Sequence, residues 1–277
     1  MSKGFFKGLI AASAMVMAAG MAQAGALDID TLKSVAPPSD DHPLDPLISG
    51  YEFRATETQA LQDGDFDNPG FLWVDNGEEL WSTVAGTKNK SCAECHGDAS
   101  DSMKGVRAAM PKWNEAKGKP VNLEQQINIC LTEQMGAEAW KFDSRSMLSM
   151  NAYVGLQSRG MPVAVKTDGP MSDWFSKGEK LYYARNGQLD MACSNCHEDN
   201  FGNRIRSDLL SQGHTNGFPV YRLKWQKPGS IHRRFKGCMK QVRAKPYKVG
   251  GDEFLALELY VAWRGTGMAV ETPSVRN

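Results

Sequence analysis

The sequence predicts a mostly α-helical protein that is built from two tandem copies of one domain and preceded by a loop-rich N-terminal arm. Two observations predict this fold class. A set of landmarks recurs in the same order in both halves of the 277 residues, which indicates duplication of one structural unit. Stretches of alternating Val, Ile and Thr are scarce, so little sheet is expected.

The landmarks keep nearly constant spacing within each copy. Gly77–Trp81 and Gly178–Tyr182 each begin 15 residues before a Cys-x-x-Cys-His pentapeptide. One further cysteine follows, Cys130 in the first copy and Cys238 in the second, and it lies 38 and 45 residues after the pentapeptide begins. The second copy therefore carries about seven extra residues in this interval. A Tyr-Val pair then precedes a methionine by eight residues in both copies.

Residues 1–24 have the pattern of a secretory signal peptide. Lys3 and Lys7 precede an apolar stretch, and Ala22-Gln23-Ala24 has the small side chains of a cleavage site. Export predicts a bacterial periplasmic location, where disulfides are permitted. No later stretch approaches the ~20 apolar residues of a membrane span. Without the two lysines the 32 basic and 32 acidic residues leave a net charge of −2, which argues against a nucleic-acid partner.

The remaining chain divides into an arm and two domains. Residues 25–70, rich in Asp, Pro and Gly, form the arm; residues 71–165 form the first domain and residues 166–277 the second, with Pro and Gly near the boundary. Each domain is expected to open and close with a helix. The predicted helices are 77–85, 146–156 and 253–263, the last of them capped by Asp252.

The pentapeptides Cys92–His96 and Cys193–His197 predict covalent attachment of haem c. Two cysteines separated by two residues form thioethers to one porphyrin, and the adjacent histidine becomes an axial ligand of the iron. We therefore expect two tandem c-type cytochrome domains with two haems. The attachment residues are Cys92, Cys95 and His96 in the first domain, and Cys193, Cys196 and His197 in the second.

The sixth ligand of each iron has several candidates. Met161 and Met268 could provide thioether sulfur, which raises the reduction potential. Cys130 and Cys238 could provide thiolates instead, could form a disulfide with each other, or could be buried inert thiols. The equivalent place of the two cysteines in the repeat favours a shared ligand role. His42, His214 and His232 are weaker candidates.

The surroundings of Cys238 predict a reactive thiol. Five Lys or Arg fall within the eleven residues 233–243. Cations lower the pKa of a thiol and attract a small dianion. On a helix, Arg234 would lie on the same face as Cys238, four residues away. The neighbours of Cys130 in the sequence include no such run, so Cys130 is expected to be structural.

These motifs resemble the SoxA family, the diheme cytochrome c subunits of SoxAX complexes in bacterial thiosulfate oxidation. The resemblance rests on the two pentapeptides, the cysteine after each, and the stretch Arg234–Cys238 with Val242–Ala244. It implies that Cys130 is the axial partner of His96, that Cys238 is the partner of His197, and that Cys238 is the active-site cysteine, carried as a persulfide. Arg234 matches the arginine that binds substrate.

The resemblance also implies an activity, that of an L-cysteine S-thiosulfotransferase. Thiosulfate would be joined oxidatively to a cysteine of the carrier protein SoxYZ, and electrons would pass through haem, including that of a SoxX subunit, to a small cytochrome c. Two other functions fit the motifs less closely. One is a non-enzymatic diheme electron carrier with methionine ligands, and the other is a diheme thiosulfate dehydrogenase that forms tetrathionate.

Overall fold

A computed structural model describes residues 31–277. The predicted signal peptide and the first six residues of the predicted arm lie outside the described residues. Within the described part of the chain the fold is mostly helical, with four small sheets, so the predicted fold class is confirmed. None of the helices in this part is long and apolar enough to cross a membrane.

Ten α-helices carry the fold within residues 31–277. They are α1 (Thr56–Asp63), α2 (Phe71–Ser82), α3 (Cys92–His96), α4 (Ala99–Ser102), α5 (Leu123–Ile129), α6 (Arg145–Leu156), α7 (Ser172–Tyr183), α8 (Cys193–His197), α9 (Ile231–Gln241) and α10 (Asp252–Trp263). A π-helical turn, Cys130–Met135, directly continues α5.

The strands are short and pair mostly as hairpins. They are β1 (Val35–Ala36), β2 (Leu47–Ile48), β3 (Lys112–Asn114), β4 (Lys119–Val121), β5 (Arg204–Ile205), β6 (Asp208–Leu209), β7 (Val220–Arg222), β8 (Lys227–Gly229) and β9 (Ser274–Arg276). In the one three-stranded sheet, β7 pairs antiparallel with β8 and parallel with β9.

The same helix crossing occurs in both halves of the chain. Helix α2 packs on α6, and α7 packs on α10. A Cβ on Gly77 would lie 2.3 Å from the carbonyl oxygen of Ser149, and a Cβ on Gly178 would lie 2.1 Å from that of Ala256. Only glycine permits this approach of two helix backbones, which explains why each repeat unit opens on Gly-Glu.

Two boundaries differ from the predicted ones. The first helix begins six residues earlier than predicted, at Phe71, and ends at Ser82 because Thr83 is extended. Asp252 is the first residue of α10 rather than its cap; Gly251 is the capping residue and offers no side chain. The Asp252 carboxylate instead binds Lys119 Nζ at 2.9 Å.

The segment before α2 is built into the second half of the chain. Glu271 accepts hydrogen bonds from the hydroxyls of Ser34 and Ser49, and Ile48 N donates to Gln212 Oε1 at 2.7 Å. Buried polar groups of this kind hold a segment in one register, because breaking them leaves unsatisfied partners. The arm therefore brings its own side chains, among them Arg54, to the second pentapeptide region.

Candidate functional site

The second pentapeptide forms a short helix whose histidine is fixed by backbone. His197 Nδ1 lies 2.7 Å from the carbonyl oxygen of Ser211, and since a carbonyl can only accept, Nδ1 is the donor. In the neutral imidazole this leaves Nε2 without a proton and free to bind a metal. Gly213 lies against the same ring, because a Cβ there would come within 2.8 Å of the imidazole.

The Cys238 thiol faces His197 from helix α9. The two side chains lie within hydrogen-bonding reach of each other, and Cys238 is partly buried. Burial alone would raise the pKa of this thiol, but the charge of Arg234, the contact with His197 and the charge of Arg222 outweigh burial and lower the pKa to about 6. A thiolate is thus the favoured form at neutral pH.

Two arginines from distant parts of the chain act on this thiol, Arg234 from α9 and Arg222 from the end of β7. A third, Arg54 from the arm, lies close to those two arginines. Burial lowers the pKa of Arg222 to about 10, and the neighbouring positive charge of Arg234 adds to this effect. Both Arg222 and Arg54 keep a buried Nε that has no hydrogen-bond partner among the described residues. Buried, positively charged hydrogen-bond donors that lack partners are suited to binding an anion.

Only some of the basic residues within 233–243 lie near Cys238 in the structure. Arg234 acts on Cys238, but Arg233 stacks on the ring of Trp225 at 4.3 Å, His232 is buried on the other side of the helix against Phe142, and Lys236 is exposed. Successive residues of a helix point in different directions, so neighbours in sequence do not share a face. Of these residues, Arg234 is the one that acts on Cys238.

Sequence reasoning missed Arg222 and Arg54. They lie 16 and 184 residues before Cys238, and only the folded chain brings Arg222 near Cys238 and Arg54 near Arg222 and Arg234. The carboxylate of Asp208 lies 4.0 Å from Arg222 Nη2, which balances part of this charge. No local pattern in the sequence distinguishes these two arginines from surface ones.

The first pentapeptide has a different environment. Burial raises the pKa of the Cys92 thiol to about 11, and the nearby Cys130 adds to this effect. The Cys130 sulfur accepts a hydrogen bond from the amide of Gln126, whose Nε2 lies 3.6 Å away. His96 is exposed and packs against Trp81, with the ring centres 5.7 Å apart. An amide in place of guanidinium groups makes this a less cationic site than that of Cys238.

The methionines lie elsewhere. Met268 is buried with Ala36, Leu44 and Leu47, and Met161 packs on a cluster that contains Val163 and Val270. The segments that carry them pair with each other through a bridge between Pro162 and Ala269. All six cysteines, which lie within the described residues, are unpaired, so the alternative disulfide between Cys130 and Cys238 does not form in this structure.

The remaining histidines have partners of their own. His214 is buried, its Nε2 lies 2.9 Å from Gln212 Oε1, and burial holds its pKa well below the ordinary value. His42 Nδ1 lies 3.0 Å from the backbone of Leu44. His232 Nδ1 accepts from Gly250 N.

Comparison with known proteins agrees with this geometry. The model of the SoxA/TsdA cytochrome c domain matches residues 76–163 and again residues 177–270. The chain belongs to the SoxA/TsdA cytochrome c family. Within this family, the L-cysteine S-thiosulfotransferase subunit SoxA of Pseudaminobacter salicylatoxidans is 48% identical over 90% of this chain and 87% of its own length.

Two further members of the family extend the comparison. The L-cysteine S-thiosulfotransferase subunit SoxA of Paracoccus pantotrophus is 44% identical over 98% of both chains. A chain of the crystal structure of SoxXA from P. pantotrophus superposes with a TM-score of 0.85 at 46% identity, and the match covers 89% of this chain and 94% of the other.

The side chains fit the covalently bound haem c that a SoxA/TsdA cytochrome c domain implies. Both pentapeptides keep their cysteine sulfurs unpaired. In the second, the imidazole is held through Nδ1 so that Nε2 is free, and a soft sulfur donor faces the imidazole. Imidazole and sulfur are the ligands that haem iron takes in cytochromes.

Proposed function

We propose that this chain is the thiosulfate-binding subunit of an L-cysteine S-thiosulfotransferase and that it acts in the bacterial periplasm after its signal peptide is removed. Its relatives in P. salicylatoxidans and P. pantotrophus carry that name. The overall reaction joins thiosulfate to a carrier cysteine: R–SH + S2O3²⁻ → R–S–S–SO3⁻ + H⁺ + 2 e⁻. One S–S bond forms, the S–H bond breaks, and two electrons leave.

The chain would hold two haems c. Cys92 and Cys95 attach the first and Cys193 and Cys196 the second, with the ligand pairs His96–Cys130 and His197–Cys238. When bound, haem supplies an iron that accepts the electrons released in the reaction. The proximity of one further cysteine to each pentapeptide supports this assignment.

The observation that carries the proposal is the position of Cys238 between His197 and Arg234. In the proposed role the Cys238 sulfur carries a persulfide and is the place at which the sulfur–sulfur bond is made. Arg234 binds thiosulfate, and we add Arg222 as a second cation for the same dianion, because its buried Nε lacks a partner. Two guanidinium groups reduce the repulsion between an anionic sulfur and an anionic substrate.

The proposal includes three protein partners. The structural match to a chain of SoxXA supports a SoxX-type cytochrome as the second subunit. The carrier SoxYZ presents the acceptor cysteine, and a small cytochrome c takes the electrons. The proposal includes no nucleic-acid partner and no membrane span.

Thiosulfate-dependent reduction of a cytochrome c by the complete two-subunit complex, with and without SoxYZ, tests the proposal. We expect turnover that requires SoxYZ. Arg234→Ala should reduce it strongly and leave the haem spectra nearly intact, whereas the neighbouring Arg233→Ala, which removes a guanidinium that stacks on Trp225, should not. Turnover without SoxYZ that yields tetrathionate would favour a thiosulfate dehydrogenase, and no turnover in either case would favour an electron carrier.

A further inference from the structure

One buried carboxylate joins helices α5 and α9, which lead to Cys130 and Cys238. Glu258 lies on α10 and is 3% exposed. Its Oε2 accepts a hydrogen bond from Asn122 Nδ2 at 2.8 Å, and the same oxygen lies 3.0 Å from His232 Nε2. Asn122 and His232 are themselves completely buried. The contact therefore links the two halves of the chain directly.

Both partners of Glu258 stand at the first turn of a helix. Asn122 caps α5, since its side chain accepts from Gln125 N at 3.0 Å. His232 is the second residue of α9, which is capped in the same way by Ser230. Cys130 follows Asn122 by eight residues, and Cys238 follows Ser230 by eight. The two helix starts are thus equivalent positions of the repeat.

The protonation of His232 is fixed by its other side. Gly250 N donates to His232 Nδ1 at 3.0 Å, so Nδ1 carries no proton and the imidazole hydrogen is on Nε2, toward Glu258. A second buried carboxylate, Glu124, lies nearby, and burial together with the charge of Glu258 raises its pKa to about 7. Glu258 is the carboxylate of the two that stays charged, because the contact with His232 outweighs burial and lowers its pKa. It accepts a hydrogen bond from Asn122 and lies at ion-pair distance from His232.

The repeat makes this arrangement asymmetric. The position equivalent to Glu258, two residues before the tyrosine of the repeat, is Asn151 on α6. Asn151 is equally buried, at 3% exposure, but its Oδ1 has no partner among the described residues. The longer side chain of Glu258 reaches the first turns of both α5 and α9, whereas Asn151 Oδ1 reaches neither.

We infer that Glu258 is a positioning residue for both haem sites, because one oxygen fixes the first turns of the two helices that deliver Cys130 and Cys238. A helix transmits a displacement of its first turn along its length, which for eight residues is about 12 Å. The strength of an iron–sulfur bond depends on where the sulfur is held. The inference rests on the proposed ligand roles of the two cysteines.

Electron paramagnetic resonance of the purified holoprotein tests the inference without reference to turnover. Glu258→Asn shortens the side chain by one methylene, and we expect it to shift or split the low-spin signals of both haems. Glu258→Gln keeps the length of the side chain, and its haem signals should be close to those of the unmodified protein. Glu271→Asn, at a similarly buried carboxylate that binds Ser34, Ser49 and Arg276, should leave both haem signals unchanged.

Two further variants each remove one of the two contacts of Glu258. They also test the inference if Glu258→Asn does not fold. Asn122→Ser keeps a capping hydroxyl but cannot reach Glu258, and it should perturb only the first haem. His232→Asn keeps an acceptor for Gly250 N but loses Glu258, and it should perturb only the second. Unchanged signals in all three variants, whatever happens to stability, would overturn the inference.

The failure of the inference can be told apart from that of the proposed function. If Cys130→Ala and Cys238→Ala themselves leave the haem signals unchanged, the ligand assignment is wrong. If those two variants change the signals but the variants at Glu258, Asn122 and His232 do not, the ligands stand and only the role of Glu258 is wrong.

Discussion

His197 is held by the carbonyl oxygen of Ser211, which accepts from Nδ1 at 2.7 Å. The ring is thereby fixed in the tautomer whose free nitrogen faces the Cys238 side, and its plane is set by a backbone atom rather than by a flexible side chain. A histidine fixed in this way is a stronger and better-oriented metal ligand than a freely rotating one.

Gly213 provides the space that this orientation needs, so Gly213→Ala should disturb the haem that we propose at the second pentapeptide. A Cβ there would lie 2.8 Å from the His197 ring, and the ring must turn away. We expect an altered optical spectrum of that haem and a lower Tm. Gly202→Ala is the matched control, because Gly202 has the same positive φ of 83° but nothing within 4 Å of the added Cβ. Equal spectra for the two variants would contradict this prediction.

Arg222 is predicted to bind substrate together with Arg234. Arg222→Gln removes a buried charge near Cys238 and should raise the KM for thiosulfate about tenfold with a smaller effect on kcat, since uniform binding is lost. Arg222→Lys keeps the charge and should be affected less. The KM of Arg222→Gln should also depend less on salt concentration. A KM equal to that of the unmodified protein would place thiosulfate elsewhere.

Glu124 should make the protein less stable as pH rises. Burial, and then the charge of Glu258, raise its pKa in the folded protein from the ordinary 4.5 to about 7. Between these values the folded state binds a proton that the unfolded state has lost, so the free energy of unfolding falls as pH increases. The full effect is on the order of 3 kcal/mol and is nearly complete by about pH 8.

Urea unfolding at pH 5 and pH 8 measures this effect. Glu124→Gln should reduce the loss of stability between the two pH values. Glu271→Gln is the control, because Arg276 and two serines outweigh burial and hold the pKa of Glu271 below 4.5, so its contribution is lost only at lower pH. If Glu124→Gln shows the same loss between pH 5 and pH 8 as the unmodified protein, Glu124 is ionised throughout.

The sequence predicts those parts of the site that are close along the chain. Both pentapeptides, the further cysteine in each copy, and Arg234 one turn from Cys238 follow from spacing alone. The repeat also predicts the helices that open and close each domain, and the structure adds that Gly77 and Gly178 lie where these helices cross.

The rest depends on tertiary structure. Arg222 acts on Cys238, and Arg54 lies close to Arg222 and Arg234, only because β7 and the arm are brought to this site by the fold. His232, which in the sequence belongs to a basic run, is a buried partner of Glu258. Burial and long-range pairing determine these roles, and neither leaves a local pattern in the sequence.

The most direct test of the central claim is thiosulfate turnover in the presence of SoxYZ by Cys238→Ser, compared with Cys130→Ser. Both changes replace a sulfur at an equivalent place of the repeat by oxygen. If the reaction takes place at Cys238, its variant should lose more than about 100-fold in rate, because oxygen cannot carry a persulfide, while Cys130→Ser should keep most of the activity. Turnover by Cys238→Ser at the rate of the unmodified protein would contradict the account.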